Sequence, residues 1–129
     1  MFERSRNILE CHIAGFTYYD GLDVIENLKL GTPVTLKSEL DNPYDPNAVA
    51  VYYEDTKLGF IPRAKNHTIS QLLYLGYDDL FEVKINCCHP EENPENQFRI
   101  VVKIKDKRRN DYWVNYFFEI LTKKDERNE

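Results

Sequence analysis

Hydrophobic and polar residues alternate along much of this chain, with the two-residue period of a strand that buries one face. The alternation is regular over residues 8–16, 34–40, 80–88 and 98–105, which we predict to be half-buried β-strands. The side chains expected to point inward are Leu9, Cys11, Ile13, Val34, Leu36, Leu40, Phe81, Val83, Ile85, Cys87, Phe98, Ile100, Val102 and Ile104.

Three further segments bring the strand candidates to seven. Residues 48–53 do not alternate and are rich in small and β-branched side chains, which is typical of a strand covered on both faces. Residues 56–61 follow after two residues and predict a hairpin with that strand. Residues 112–121 form the last candidate. The short strands and their turns favour a mainly β fold, either a small barrel or a sandwich.

Helical spacing of apolar residues appears in two places. Residues 64–75 carry Ile69, Leu72 and Leu73, with Thr68 and Gln71 as a candidate capping box and Gly76 suited to end the helix. A second, shorter helix over residues 22–28 is suggested by Leu22, Ile25 and Leu28. The first of these helices is the better supported, and we expect it to cover one end of the barrel.

The length of 129 residues fits a single domain, which we place at residues 1–121, followed over 122–129 by a charged tail expected to be disordered. No segment has the length or apolarity of a membrane span or a signal peptide, so no membrane partner is predicted. The three cysteines are an odd number, which argues against a disulfide framework. We therefore expect free thiols and a cytoplasmic protein.

Sequence motifs of the common catalytic and cofactor sites are missing from this chain, among them the Gly-rich phosphate loop and the paired cysteines of zinc sites. Cys87, Cys88 and His89 come nearest to a metal or nucleophile cluster, yet neighbouring strand residues point to opposite faces and cannot easily share one ion. We predict no metal, no cofactor and no enzymatic activity.

Four aspartates fall in loops that could meet near one end of the barrel: Asp20, Asp23, Asp41 and Asp45. Aspartate is common in turns, and the spacing of these four resembles neither a calcium loop nor a two-metal site. A metal-dependent hydrolase that uses these carboxylates is therefore the least favoured of three functional hypotheses.

The most distinctive segment is the loop Asn-Pro-Tyr-Asp-Pro-Asn that begins at Asn42. Pro43 and Pro46 fix their own φ angles and favour an extended conformation in the residue before each of them. Tyr44 and Asp45 are thus presented at low entropic cost, as a ligand-binding corner requires.

Two more tyrosines, Tyr18 and Tyr19, follow the first strand, in a loop that could lie beside Tyr44. Single-stranded nucleic acid is held by aromatic faces that stack on bases and by cations along its backbone, and Arg63 supplies such a cation. In the alternative interpretation the tyrosines pack on the end of the barrel and Arg63 pairs with a nearby carboxylate.

The net charge of −5 counts against a nucleic-acid partner, but the charge is unevenly distributed. Residues 99–109 hold six basic side chains and one aspartate, a local charge of +5. Alternation places Arg99, Val101, Lys103 and Lys105 on the outer face of their strand, where the three cations form a basic stripe. This stripe either contacts phosphates or is a solvated face that protects an edge strand.

Three motifs resemble the HIRAN domain family: Gly15-Phe16 with Tyr18-Tyr19, the segment from Asn42 to Ala48, and Gly-Phe-Ile-Pro-Arg over residues 59–63. The resemblance extends over about residues 8–105. It implies a small OB-like antiparallel β-barrel of six or seven strands with minor helical content. It also implies binding of single-stranded DNA at its 3′ end, without an ATP-driven activity of the chain itself.

By this resemblance Tyr18 and Tyr44 would stack on terminal bases, Asn42 and Asp45 would contact the terminal nucleotide, and Arg63 would meet a phosphate. A carboxylate accepts a hydrogen bond from a free 3′-hydroxyl but repels a 3′-phosphate, so Asp45 could select an end. The complete predicted site comprises Tyr18, Tyr19, Asn42, Tyr44, Asp45, Phe60 and Arg63, with Arg99, Lys103 and Lys105 as further phosphate contacts.

We therefore predict a non-catalytic module that recognises 3′ ends of single-stranded DNA, with a helicase or nuclease as a candidate partner protein. The alternative is a protein-interaction barrel that does not bind DNA. The sequence leaves the oligomeric state open, homo-oligomers included.

Overall fold

The computed structural model describes residues 5–105 and 119–120. The strands within them are β1 Ser5–His12, β2 Pro33–Ser38, β3 Val49–Tyr53, β4 Thr56–Phe60, β5 Phe81–Cys88 and β6 Phe98–Lys105. They form one antiparallel sheet in the order β1-β6-β5-β2-β3-β4. The predicted mainly β fold is confirmed, with six strands in the described part of the chain.

The helical elements are short and lie between the strands. They are α1 His67–Tyr74 and α2 Pro94–Gln97, with 3₁₀ segments at Phe16–Tyr18, Asp20–Asn27, Arg63–Lys65 and Asp78–Leu80. The helix predicted over 64–75 is present as α1, and the one predicted over 22–28 is present as a 3₁₀ segment. Helix α1 starts later than predicted because residues 63–65 form a separate turn.

For α1, the predicted start was wrong and the predicted end was confirmed. Asn66 occupies the N-cap position and no side-chain hydrogen bond caps the helix, so the capping box of Thr68 and Gln71 was a wrong prediction. Gly76 does follow the helix with φ 92°, and its N–H donates to the carbonyl of Leu73 at 3.0 Å. A positive φ is accessible to glycine at little cost, as the sequence indicated.

The seventh strand, predicted over 112–121, falls mainly outside the described residues. Its two described positions, Glu119 and Ile120, are helical, which contradicts a strand there. The charged tail at 122–129 also lies outside the described residues. In the part of the chain that is described, no helix has the length and apolar character needed to cross a membrane.

The two edges of the sheet meet at one point. Ala14, just beyond β1, and Phe60, at the end of β4, exchange both backbone hydrogen bonds, at 2.8 and 2.9 Å. The strands do not form a closed ladder, so the predicted barrel is an open, curved sheet whose edges are joined by this bridge. The bridge places the loop after β1 directly beside the end of β4.

Gly59 makes that close approach of backbones feasible. A Cβ atom added at this position would lie 2.3 Å from the carbonyl oxygen of Ala14 and 2.8 Å from a methyl carbon of Ile13. The φ angle of 153° is also one that residues with side chains rarely adopt. The glycine therefore has a steric reason to stand next to Phe60.

The core lies on the concave side of the sheet and receives side chains from all six strands. Phe16 and Phe98 are fully buried, with ring centroids 5.2 Å apart, and Ile69 of α1 is also buried. Most residues predicted to point inward do so. Leu40 is an exception at 54% exposure, because β2 ends at Ser38 and the chain has already turned.

The predicted faces were wrong at one place, the end of β5. The pairing of β5 with β6 shifts register between Ile85 and Cys87, which is a β-bulge. An extra residue reverses the alternation beyond it, so Cys88 packs against the core and Cys87 does not. Val101 lies on the outer face of β6 as predicted, because Ile100 and Val102 on either side of it are core residues, and it is nevertheless only 6% exposed.

We expect Gly59→Ala to destabilise the protein by about 2 kcal/mol more than Gly31→Ala. Gly31 also has a positive φ, 86°, but nothing lies within 4 Å of an added Cβ. Both variants thus acquire backbone strain, and only Gly59→Ala acquires the clash with Ala14. Urea unfolding of the two variants measures the difference, and equal losses of stability would contradict this account of the bridge.

Candidate functional site

The loop after β2 is held by the side chain of Asn42. Its Oδ1 accepts hydrogen bonds from the backbone N–H groups of Tyr44, at 2.9 Å, and Asp45, at 3.1 Å. Its Nδ2 donates to Oε1 of Glu39 at 3.2 Å. Asn42 was predicted to contact a nucleotide, and in the structure its amide organises the loop that presents Tyr44, whose side chain is 84% exposed.

Asp45 lies on the inner side of the same loop, with a side chain only 17% exposed. Its Oδ1 accepts from the backbone N–H of Asn47 and its Oδ2 from Nδ2 of Asn66, each at 2.9 Å. Partial burial acts to raise the pKa of this carboxyl, but the bonds from Asn66 and Asn47 and the charge of Arg63 outweigh it and hold the pKa below its ordinary value. Asp45 is therefore ionised at neutral pH.

Arg63 begins the turn that follows β4 and reaches back to the Tyr44 loop. Its Nε lies 3.6 Å from Oδ2 of Asp45, and its Nη2 donates to the carbonyl oxygen of Tyr44. The side chain is nevertheless 70% exposed. Because a guanidinium has five N–H donors in a planar fork, donors remain for an incoming anion.

The turn at 16–18 presents Tyr18, whose side chain is 83% exposed. Glu95 of α2 holds this turn: its Oε1 accepts from the backbone N–H of Thr17 at 3.1 Å and from the Thr17 hydroxyl at 2.5 Å. These bonds, with the N–H groups of Phe16 and Gly15, hold the pKa of Glu95 below its ordinary value. The aromatic platform thus depends on a carboxylate 78 residues away in sequence.

Tyr19, the neighbour of Tyr18, packs edge-on against the ring of Phe60, with centroids 5.4 Å apart. The ammonium group of Lys57 lies over both rings, 4.7 Å from the centroid of Tyr19 and 4.5 Å from that of Phe60. Lys57 also forms an ion pair with Glu39 at 2.5 Å. Tyr19 and Phe60 are therefore supports within the site rather than exposed platforms.

A continuous series of contacts connects the two loops. It runs from Tyr19 and Phe60 through Lys57 to Glu39, and from Glu39 through Asn42 to the Tyr44 loop. Lys57 and Glu39 were not predicted as site residues. Lys57 lies on β4 and Glu39 directly follows β2, and the alternating pattern suggests only that Glu39 leaves the core, not what it contacts.

Asn66 and Glu95 were also missed. Asn66 is 2% exposed although it is polar, and its amide donates to Asp45. The predicted helix began at residue 64 and therefore placed Asn66 inside it, where the preference of asparagine for helix caps gave no signal. Glu95 had no local signal, since its partner Thr17 lies on a distant element.

The basic stripe is divided between two ends of the sheet. In the register of β6 with β1, Arg99 lies opposite His12 at the end of β1. The chain continues from there into the 16–18 turn. Lys103 pairs with Asn7 at the opposite end, and Lys105 lies still further along β6. Six residues of strand span about 20 Å. The geometry therefore places Arg99 on the side of the site and the two lysines away from it.

The loop aspartates do not assemble a metal site. Among residues 5–105 and 119–120, no group of three or more His, Cys, Asp or Glu side chains could hold a metal ion. Asp20, Asp23 and Asp41 are exposed, whereas Asp45 is bound to its own loop and to Asn66.

An open, curved antiparallel sheet with minor helices, bearing exposed tyrosines around a carboxylate and a guanidinium, defines a small OB-like β module. A model of the HIRAN domain matches residues 7–105, and the chain belongs to the HIRAN domain family. This membership places it among nucleic-acid-binding modules.

Solved structures support the fold. A protein from Lactobacillus plantarum has a TM-score of 0.62 and 21% identity, over 81% of this chain and 97% of that one. The HIRAN domain of human HLTF has a TM-score of 0.56 and 19% identity, over 80% of this chain and 82% of that one. No curated protein sequence matches this chain.

We expect Asp45→Asn to lower the free energy of unfolding at neutral pH by about 1–2 kcal/mol, because an amide accepts weaker hydrogen bonds from Asn66 and Asn47. The pKa of Asp45 in the folded protein lies below the ordinary value of 3.8. Its stabilisation is thus complete above the unfolded-chain pKa and is lost as the pH falls through the folded-state value.

Urea unfolding of the wild type and Asp45→Asn at neutral pH and at about pH 2 measures this effect, and the difference between them should shrink at the lower pH. Asp41→Asn, at an exposed position of the same turn, is the matched control. Glu95 titrates in the same direction, but it is common to both proteins. A difference that stayed constant with pH would contradict the role given to the Asp45 charge.

Proposed function

We propose that this domain binds single-stranded nucleic acid, and specifically the 3′ end of single-stranded DNA, without catalysing a reaction. The observation that carries the proposal is the pair of exposed rings, Tyr18 and Tyr44, on loops held rigidly around Asp45 and Arg63. Large aromatic side chains left 83% and 84% exposed gain nothing from the core and are suited to a ligand.

Stacking supplies the affinity in this proposal. A base that stacks on an aromatic ring gains about 1–3 kcal/mol, and any base can do so. The loop of Tyr44 is ordered by Asn42 and two prolines, and the turn of Tyr18 by Glu95. Since the rings are already positioned, little conformational entropy is lost on binding.

Asp45 supplies the selection of an end. Its two oxygens each accept one hydrogen bond within the domain, and a carboxylate has about four acceptor positions, so capacity remains for a hydroxyl. The lowered pKa keeps the group negative at neutral pH. A 3′-hydroxyl could donate to it, whereas a 3′-phosphate or a continuing strand would be repelled.

Local cations offset the acidity of the chain as a whole. Arg63, Lys57 and Lys65 lie on β4 and the turn after it, and Arg99 lies at the near end of β6. Lys65 donates to the carbonyl of Glu10 at 3.3 Å, which holds it beside β1. A short strand bound between the tyrosines would meet these charges first, so its affinity should fall with salt.

We expect fluorescently labelled oligothymidylate to bind, and Tyr44→Ala and Tyr18→Ala each to weaken binding about 5- to 150-fold, as loss of one stacked base predicts. Tyr74→Ala is the matched control, because Tyr74 is 63% exposed on α1, outside the site. Phosphorylation of the 3′ end should weaken binding to the wild type, and less so to Asp45→Asn.

Failure of the wild type to bind at low salt would refute this function and favour a protein-interaction module. Binding that is indifferent to the 3′ end would retain nucleic-acid binding and refute end selection. Metal-dependent cleavage of the oligonucleotide, abolished by Asp45→Asn, would contradict a non-catalytic role.

The divided stripe leads to a separate expectation. Arg99→Gln should weaken binding of an oligonucleotide of about five nucleotides, whereas the double variant Lys103→Gln, Lys105→Gln should affect only much longer ones. The reason is the separation along β6, which is about 13 Å from Arg99 to Lys103 and about 20 Å from Arg99 to Lys105. Equal effects on the short oligonucleotide would show that the strand takes another path.

A further inference from the structure

Cys87 lies in a cluster with His89 and Glu91, and the proposed function uses none of these three side chains. It is half-buried near the end of β5, and its Sγ is 2.8 Å from Nε2 of His89. The other ring nitrogen of His89, Nδ1, is 3.5 Å from Oε1 of Glu91. Thiol, imidazole and carboxylate thus stand in the order found where a base activates a nucleophile and a third group orients the base.

A cation faces the same thiol from the neighbouring strand. Arg99 of β6 is the direct partner of Cys87 in the register, so the two side chains leave the sheet on the same face. His12 of β1 is in turn the partner of Arg99 on the far side. A guanidinium on the same face as the thiol can bind an anionic group of a reagent that approaches it.

The other two cysteines lie in contrasting surroundings. Cys88 points to the opposite side of the sheet, packs against the core and has its Sγ 3.9 Å from the carbonyl oxygen of Leu28. Cys11 is fully buried, and burial raises its pKa to about 11 although Lys65 and Arg99 act in the opposite direction. Among the three free thiols of this chain, Cys87 is therefore the one that contacts an imidazole able to act as a general base.

We propose that Cys87 is a reactive thiol that undergoes exchange with small disulfides carrying carboxylate groups. His89 Nε2 takes the thiol proton, and the Cys87 sulfur attacks one sulfur of the disulfide. A new S–S bond forms to Cys87 as the original S–S bond breaks. The released thiolate takes the proton from His89, so one thiol and one mixed disulfide replace one disulfide and one thiol.

The charges around the thiol fit that class of reagent. Arg99 offers a guanidinium to a carboxylate of the disulfide, and Glu91 stabilises the imidazolium of His89 while the proton is held there. The β-bulge before Cys87 is what turns this thiol away from the core and towards these groups. With regular alternation along β5, Cys88 would occupy the outer face instead.

The test uses dithiobis(nitrobenzoate), an aromatic disulfide with two carboxylates, on the native wild-type chain and on Cys87→Ser, Cys88→Ser and His89→Gln. We expect one thiol to react at least about tenfold faster than the others, as expected of general-base assistance. Cys87→Ser should remove this fast phase and Cys88→Ser, the matched control, should retain it. His89→Gln should slow it about tenfold or more without changing the circular dichroism spectrum.

Mass spectrometry of the adduct after brief reaction should locate the label on Cys87, and in urea the rate differences should disappear. A fast phase that survives Cys87→Ser, or a rate that is unaffected by His89→Gln, would overturn the proposal. Neither readout depends on nucleic-acid binding, so the result is independent of the function proposed above.

Discussion

The contact on which the rest of this structure depends is the pair of backbone hydrogen bonds between Ala14 and Phe60. These bonds join the two edges of an otherwise open sheet and set the loop after β1 beside the end of β4. This approach brings the ring of Tyr19 in one segment against the ring of Phe60 in the other. Its requirement for a residue without a side chain falls on Gly59, within a segment that also supplies Phe60 and Arg63.

Polar contacts connect this bridge to the Tyr44 loop. Lys57 lies on the aromatic rings and is neutralised by Glu39, which also binds the amide of Asn42. The charges of Lys57 and Glu39 are therefore already paired with each other within the domain. Preorganisation of this kind keeps the loss of entropy on binding low, and it explains why Asn42 supports the loop instead of projecting from it.

The sequence predicted what is local in this molecule. Alternation identified the strands, and the proline-rich loop correctly indicated an ordered presentation of Tyr44. The bulge before Cys87 was not predictable, because one inserted residue leaves the composition of a strand unchanged and reverses its faces. Glu95 could not be recognised either, since its contact with Thr17 is created by the fold rather than by spacing. The basic side chains of β6 do leave the sheet on one face, as predicted. They do not form one continuous surface, because Arg99 and the two lysines lie towards opposite ends of the strand.

The proposed function separates affinity from selectivity. Arg63 already bonds to the Tyr44 carbonyl and lies near the Asp45 carboxylate, so much of its charge is offset within the site. The corner as a whole is close to neutral and would add little to the attraction of a polyanion. In this proposal stacking provides most of the binding energy, and it is the same for a base at the end of a nucleic-acid strand as for a base within it. In this proposal the ionised Asp45 is the group that would distinguish a terminus from an interior phosphate, so that an acidic domain would favour ends and bind internal sites weakly.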